Sequence, residues 1–446
     1  MWGRPWWAGG DETLLCPLRP TLIPGHDLPG PMTDDVEPGA GPAEGDPVAE
    51  SPEPEQAAAL TPADLRTWLD EGRTFTLLDT RNREEIDEWR IDAPRRLEVP
   101  YVKFVSARVN DEVGSLVEGD ADADEGEGSP APAEPFVAVC PRGEASAEVA
   151  DLLAAEGYEA YNLAGGMHGW ARLYGATELP ADALPDGVTV LQYRRPSSGC
   201  LAYLVVADGE AVVVDPLRAF ADRYADDAAA RDATLVAAVD THVHADHVSG
   251  VRAAADATGA TPVLPAGAAE RGLTWDATLL EAGDSLAVGS ADLTAVAAPG
   301  HTTEMLSYRA GEVLFAGDSL FVDSVARPDL EAGDEDVRAF ARTLHGTLTE
   351  RFDAFDDDTL VAPGHYAGEG EVADGLVAAR LGELRERLDL RSLDRETFVE
   401  RVLAAMPPRP ANHETITEVN LGRASADGEE AFELELGPNN CAATAD

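Results

Sequence analysis

DTHVHADHVSG, residues 240–250, sets His242, His244, Asp246 and His247 directly after the apolar run ATLVAAVD, residues 233–240. No helix could gather all four side chains, whereas a strand that runs into a tight turn lets them converge. Three further segments share that form, a short apolar strand ending in a loop. APGHTTEM (298–305) carries His301, LFAGDSLF (314–321) carries Asp318 and VAPGHY (361–366) carries His365. Five of the chain's nine histidines belong to this set. Layered α/β folds collect their sites on loops at strand ends. Imidazole and carboxylate donors without a thiolate suit zinc, iron or manganese and disfavour a closed structural zinc site.

Working outward, 446 residues at 44% hydrophobic can bury one large core or two ordinary ones, and usual domain sizes favour two. Residues 1–59 show no helix or strand period and become rich in Pro, Gly and acid, which predicts a disordered leader. The first 31 residues hold three of the seven tryptophans, and the expectation is that they are untranslated and that Met32 is the start. From Leu60, LTPADLRTWLDEG reads as a capped amphipathic helix and FTLLDTR as a buried strand. PFVAVCPRGEASAEVADLLAAEGY repeats the strand-to-helix unit, so residues 60–176 predict a parallel α/β sheet, interrupted by an acidic surface insertion at about 110–135. Residues 177–187, with two prolines and no period, are expected to be a linker. Residues 188–446 open with short strands and then alternate helix and strand, which suits an αββα sandwich with a C-terminal extension ending in an edge strand and tail.

The formal charge of −51 arises from 84 acidic and 33 basic residues, of which Lys103 is the single lysine. Such a polyanion repels phosphate backbones and anionic lipid, which excludes nucleic acid and membrane as partners. The acid excess runs through segments with regular apolar patterns, so the folded surface itself is acidic, as expected of a protein working in concentrated salt. Four scattered cysteines, Cys16, Cys140, Cys200 and Cys441, fit a reducing cytoplasm rather than a disulfide framework. No apolar stretch approaches the length of a membrane span. The oligomeric state is not readable from the sequence, a homodimer being one arrangement open to it.

Cys140 closes a buried strand and opens the loop CPRGEAS, where amides at a helix N-terminus stabilise a thiolate or a persulfide. LLDTRNREEIDEWRI, CPRGEAS and YNLAGGMHGW, in that order, resemble a rhodanese domain over about residues 60–176. The resemblance implies that Cys140 accepts sulfane sulfur as a persulfide and passes it to a thiol. Many rhodanese loops have arginine where this chain has Ala145, and Arg142 is expected to supply the charge. His168, in the closing motif, is expected to cap local structure.

The histidine and aspartate set resembles the metallo-β-lactamase superfamily over about residues 188–370, and that resemblance implies two alternatives. In its binuclear hydrolases His242, His244 and His301 would hold one zinc, Asp246, His247 and His365 a second, and Asp318 would bridge them. A hydroxide between the metals would then attack a thioester, as in glyoxalase II. In its persulfide dioxygenases, which SSGCLAYLV and GDSLFVDSVARPDL resemble more closely, His242, His301 and Asp318 would hold one Fe(II). The substrates would be a thiol persulfide and O2, with His244, Asp246, His247 and His365 surrounding the ion. Arg327 and Asp329 then correspond to an arginine and an aspartate beside the site, although Ala326 and Pro328 depart from that branch's pattern. Fusion to a sulfur carrier favours the dioxygenase, since tethering raises the local concentration of a persulfide at the next site. Asn420 and Gly422 are expected to shape loops, Cys200 is read as a core residue, and Cys441 as a structural cysteine, with an approach to a site as the alternative.

Overall fold

A computed structural model describes residues 56–110, 112–118, 132–367 and 375–443. Met32 and nearly all of the expected leader lie outside them.

The first sheet has five parallel strands in the order Ala58–Leu60, Ala160–Leu163, Phe136–Val139, Thr76–Asp79, Arg96–Glu98. Its central strands are buried throughout because apolar side chains pack on both faces, as a parallel sheet requires. Thr61 starts the helix Pro62–Asp70 with a capping box, its hydroxyl accepting the Asp64 amide at 3.1 Å.

Two larger sheets follow. Seven strands run in the order Thr278–Leu280, Thr261–Pro265, Thr234–Val239, Glu210–Val214, Cys200–Ala207, Val188–Arg195, Gly175–Glu178. Six more, from Ser285–Val288 to Ala379–Arg380, form the facing sheet. One apolar core fills the space between them, with Val205, Val212, Val239, Phe315 and Val361 at its centre. Helices Ala221–Ala229 and Val251–Thr258 cover the outer face of the seven-stranded sheet. Helices Asp329–Gly346 and Arg395–Ala404 pack together, with Leu344 and Phe398 reaching the central core. The architecture is α/β, a rhodanese-like parallel sheet followed by an αββα sandwich. No helix among the described residues is long and apolar enough to cross a membrane.

Four boundaries differ from expectation. Ala58 and Ala59, assigned to the leader, form the first strand beside Ala160–Leu163, a pairing three residues long and too short to leave a period. The expected linker begins in a strand, since Gly175–Glu178 pairs antiparallel with Leu191–Arg194, and Leu179 and Ala183 enter the core. Within the acidic insertion, Val113 and Val117 are buried around a short 3-10 turn. The segment expected as a C-terminal edge strand begins as the helix Gly428–Leu434, capped by Asp427, and only Ala442–Ala443 pairs as a strand, with Val325–Ala326.

Candidate functional site

The strand Thr234–Val239 delivers Asp240, after which the chain leaves the sheet and its next seven residues are all buried. Each histidine's tautomer follows from its neighbour. Thr241 has one hydroxyl proton, which Asp215 Oδ2 takes at 3.0 Å, so the hydroxyl accepts from His242 Nδ1 at 2.9 Å. His242 Nε2 therefore keeps its lone pair. His301 Nδ1 faces the Arg327 carbonyl at 2.8 Å, which can only accept, and this leaves His301 Nε2 a lone pair as well. Asp215 holds a left-handed backbone (φ 50°) and also accepts from the Thr241 amide at 2.6 Å and His244 Nε2 at 3.2 Å. Such strained backbone persists where the surroundings over-determine it.

Asp318 Oδ2 stands 3.7 Å from His301 Nε2 and 4.0 Å from His242 Nε2. All three atoms are buried and have no hydrogen-bond partner. Buried polar atoms are nearly always satisfied, so this convergence calls for an ion, and two imidazoles with a carboxylate fit a divalent transition metal. Burial, followed by the fields of His244 and His301, holds His242 well below the usual histidine range, in the neutral form that ligates. Gly364 permits the close approach, since a Cβ there would lie 2.5 Å from Asp318 Oδ1.

The remaining donors are arranged differently. His365 Nδ1 meets Asp318 Oδ1 at 2.6 Å and its Nε2 meets Asp246 Oδ2 at 2.7 Å. Burial opposes its charged form, but the Asp318 and Asp246 carboxylates outweigh that and raise it well above the usual range. His247 Nδ1 also contacts Asp246 Oδ2, at 3.1 Å. His244 Nδ1, 4.0 Å from Asp246 Oδ1, is buried and unpartnered, as are His247 Nε2 and Asp246 Oδ1. Burial opposes the charged form of His244 too, yet Asp215 and Asp240 raise it to about 9.

Several residues sit otherwise than expected. Cys200 is a neighbour of this cluster, its thiol 3.3 Å from Asp246 Oδ2, and Cys441 lies with Asp318 and His365. The Arg327 guanidinium is committed to Asp329 at 2.7 and 3.0 Å and to the carbonyls of Pro408 and Asn440, so it orients His301 through its own carbonyl. Asn420 does more than shape a loop: its amide nitrogen donates to the carbonyls of His244 and His247 at 3.0 and 2.9 Å. Gly422 takes the left-handed conformation of a turn (φ 77°).

In the first domain Cys140 is buried where the strand Phe136–Val139 ends. Its sulfur accepts from the Gly143 amide at 3.1 Å and lies 3.2 Å from the Ser146 hydroxyl, which also reaches Asn162. Arg142, expected to supply charge, instead turns outward to Glu433 at 2.7 Å with its side chain 58% exposed, because the acidic helix Gly428–Leu434 lies against this loop. His168 donates its amide to the Pro141 carbonyl, and its ring meets that of Phe432 at a tilt, so it braces the loop's surroundings. Ser146 and Asn162 carry no signal of this role in the sequence beyond a hydroxyl six residues after Cys140.

Residues 196–365 match the family described as the metallo-beta-lactamase superfamily, and residues 61–173 the rhodanese-like domain. The chain is 26% identical over 238 residues to the persulfide dioxygenase ETHE1, mitochondrial, of Bos taurus, covering 52% of this chain and 88% of that protein. With the Homo sapiens protein of the same name it shares 30% identity over 187 residues, 40% of this chain and 68% of that one. A hydroxyacylglutathione hydrolase of Cereibacter sphaeroides is 35% identical over 168 residues, 37% of this chain and 61% of the hydrolase. The crystal structure of ETHE1 from Myxococcus xanthus aligns with a TM-score of 0.46 at 29% identity, over 52% of this chain and 98% of that one. The chain belongs to the metallo-beta-lactamase superfamily and carries a rhodanese-like domain ahead of that fold.

Proposed function

We propose that the chain oxidises a low-molecular-weight thiol persulfide with O2 to sulfite and the free thiol, while Cys140 carries sulfane sulfur in the rhodanese-like domain. The balance is one persulfide, one O2 and one water giving one thiol and one sulfurous acid. The terminal sulfur is oxidised and both oxygen atoms of O2 are reduced.

The observation that supports this most is the inequality of the two donor sets. His242, His301 and Asp318 point three unengaged atoms at one spot, whereas His365, which a second ion would need, spends both ring nitrogens on carboxylates. Two histidines and one carboxylate leave open positions for substrate on Fe(II), which when bound supplies the one-electron chemistry that O2 requires. The protein's own groups hold the geometry. Thr241 and the Arg327 carbonyl fix the two imidazoles, and burial of all three donors excludes bulk water. In the other domain the Gly143 amide and Ser146 hydroxyl stabilise negative charge on the Cys140 sulfur. We place the reaction in the cytoplasm, where thiols such as those of Cys140, Cys200 and Cys441 stay reduced.

One observation favours a second reading, two zinc ions hydrolysing a thioester: His244 Nδ1, Asp246 Oδ1 and His247 Nε2 are also buried without partners. Metal analysis of anaerobically purified protein, paired with an oxygen electrode, separates the two. One iron per chain and oxygen uptake with a persulfide uphold the dioxygenase. Two zinc ions, thioester turnover and no oxygen uptake replace it.

A further inference from the structure

A cleft of about 230 Å³ separates the rhodanese-like wall, with Arg66, Trp89, Arg90 and Trp170, from a wall of the metal domain. That second wall includes Gly199, Tyr366, Asn440 and Ala442. Each of these adjoins a residue of the metal cluster in sequence: Gly199 precedes Cys200, Tyr366 follows His365, and Asn440 and Ala442 flank Cys441. Cys200 and His365 group with Asp246 and His247, and Cys441 and His365 with Asp318, each group having its donor atoms within 4.8 Å of one another. This wall is therefore one residue along the chain from members of the cluster.

In a chain of 84 acidic and 33 basic residues, the rhodanese-like wall presents Arg90 beside Asp92, and Arg66, which Asp70 holds in an ion pair. Arg90 is 44% exposed and only 3.8 Å from Asp92, a loose solvated pair that a stronger anion can displace. Tryptophan faces offer apolar cover, while Ser197, Ser198 and Asn439 offer hydroxyl and amide groups. The two walls are fixed to each other there, since Trp89 Nε1 donates to the Ser197 carbonyl at 3.1 Å.

We propose that this cleft binds the body of the thiol carrier, a low-molecular-weight thiol that bears a carboxylate or phosphate, with the anion on Arg90 and the sulfur end directed toward the wall of Gly199 and Tyr366. This rests on the persulfide reading and adds that the rhodanese-like domain selects the substrate of its neighbour. Guanidinium recognises either anion by charge-assisted hydrogen bonds, and a neutral thiol would find no such partner.

The test is calorimetric titration of the full chain, in molar potassium chloride, with glutathione, coenzyme A and uncharged 2-mercaptoethanol. Binding of glutathione identifies a carboxylate carrier and binding of coenzyme A a phosphate carrier, and either supports the proposal when 2-mercaptoethanol does not bind. Arg90→Ala should weaken that binding about tenfold, the equivalent of one charge-assisted contact, and Arg90→Glu should weaken it further. In oxygen uptake, Arg90→Ala should raise KM for the matching persulfide and leave kcat within about twofold, as loss of uniform binding requires. Equal binding of all three thiols, no binding of either anionic thiol, or an unchanged affinity and KM in Arg90→Glu would overturn the cleft assignment. Arginine-dependent binding without any oxygen uptake in the wild type would reject the dioxygenase and leave the cleft standing.

Discussion

Asp318 is the sole carboxylate among the three convergent unpartnered donors, and its other oxygen is taken by His365. Asp318→Ala should therefore reduce bound metal to near zero, whereas Asp246→Ala should leave most of it, as elemental analysis of folded protein can read out. If each substitution instead removes one of two zinc ions, the hydrolase reading prevails. At Cys140 the expected result is a split between substrates. Cys140→Ser should keep oxygen uptake near wild type on a ready-made persulfide, while uptake fed by thiosulfate and thiol falls by orders of magnitude, because an oxygen there cannot form a persulfide. Equal loss on both substrates in a metal-loaded variant would show that Cys140 acts at the metal. Ser146→Ala removes one hydrogen bond to the sulfur, and sulfur transfer should slow about tenfold, the kinetic counterpart of roughly 1.4 kcal/mol.

The loop that carries His242 to His247 is held from a distant helix, His413–Asn420, by two hydrogen bonds from one amide group. Asn420→Ala should leave both carbonyls unsatisfied, cost about 1–3 kcal/mol in denaturant titration and weaken metal affinity about 10–100-fold. Intact metal affinity would mean that the loop holds its own shape. The convergent histidines and aspartates are legible because each follows an apolar strand, and a strand ending in a loop is a local pattern. What holds them is not. Thr241 carries no signal of its own, Asp215 is 26 residues from the Thr241 amide it accepts, and Cys200 is 46 residues from Asp246. Contacts of that separation exist only once the sheets are assembled. For the same reason Thr177 and Glu178 read as linker: the partner strand, not their own composition, supplies the order. The closeness of Arg142 to Cys140 in sequence carries no trace of Glu433, 291 positions away, which draws the guanidinium outward.

At the scale of the molecule, a charge of −51 makes folding depend on screening. The melting temperature should climb as potassium chloride rises toward molar concentration, where the Debye length falls to about 3 Å. A flat profile would remove the case for salt adaptation. A buried ion pair at the domain boundary escapes this screening. Arg195 and Glu435, 3.0 Å apart and essentially without solvent exposure, bind each other at the domain boundary. Arg195 also donates to the Ala171 carbonyl of the rhodanese-like domain at 2.8 Å, and Glu435 accepts from the amide of Val248, beside His247, at 3.1 Å. Arg195→Ala should destabilise the chain by about 3–5 kcal/mol, at high salt as well as low, since it strands a buried carboxylate. The same linkage bears on how the two activities are pulled apart at the bench. A fragment trimmed to the metal domain would lose the Ala171 contact and uncover Arg195 beside the loop that supports His247. Poor oxygen uptake by such a fragment would then report a damaged centre rather than a missing sulfur supply. Silencing Cys140 inside the whole chain is the dissection that keeps the metal centre as it is.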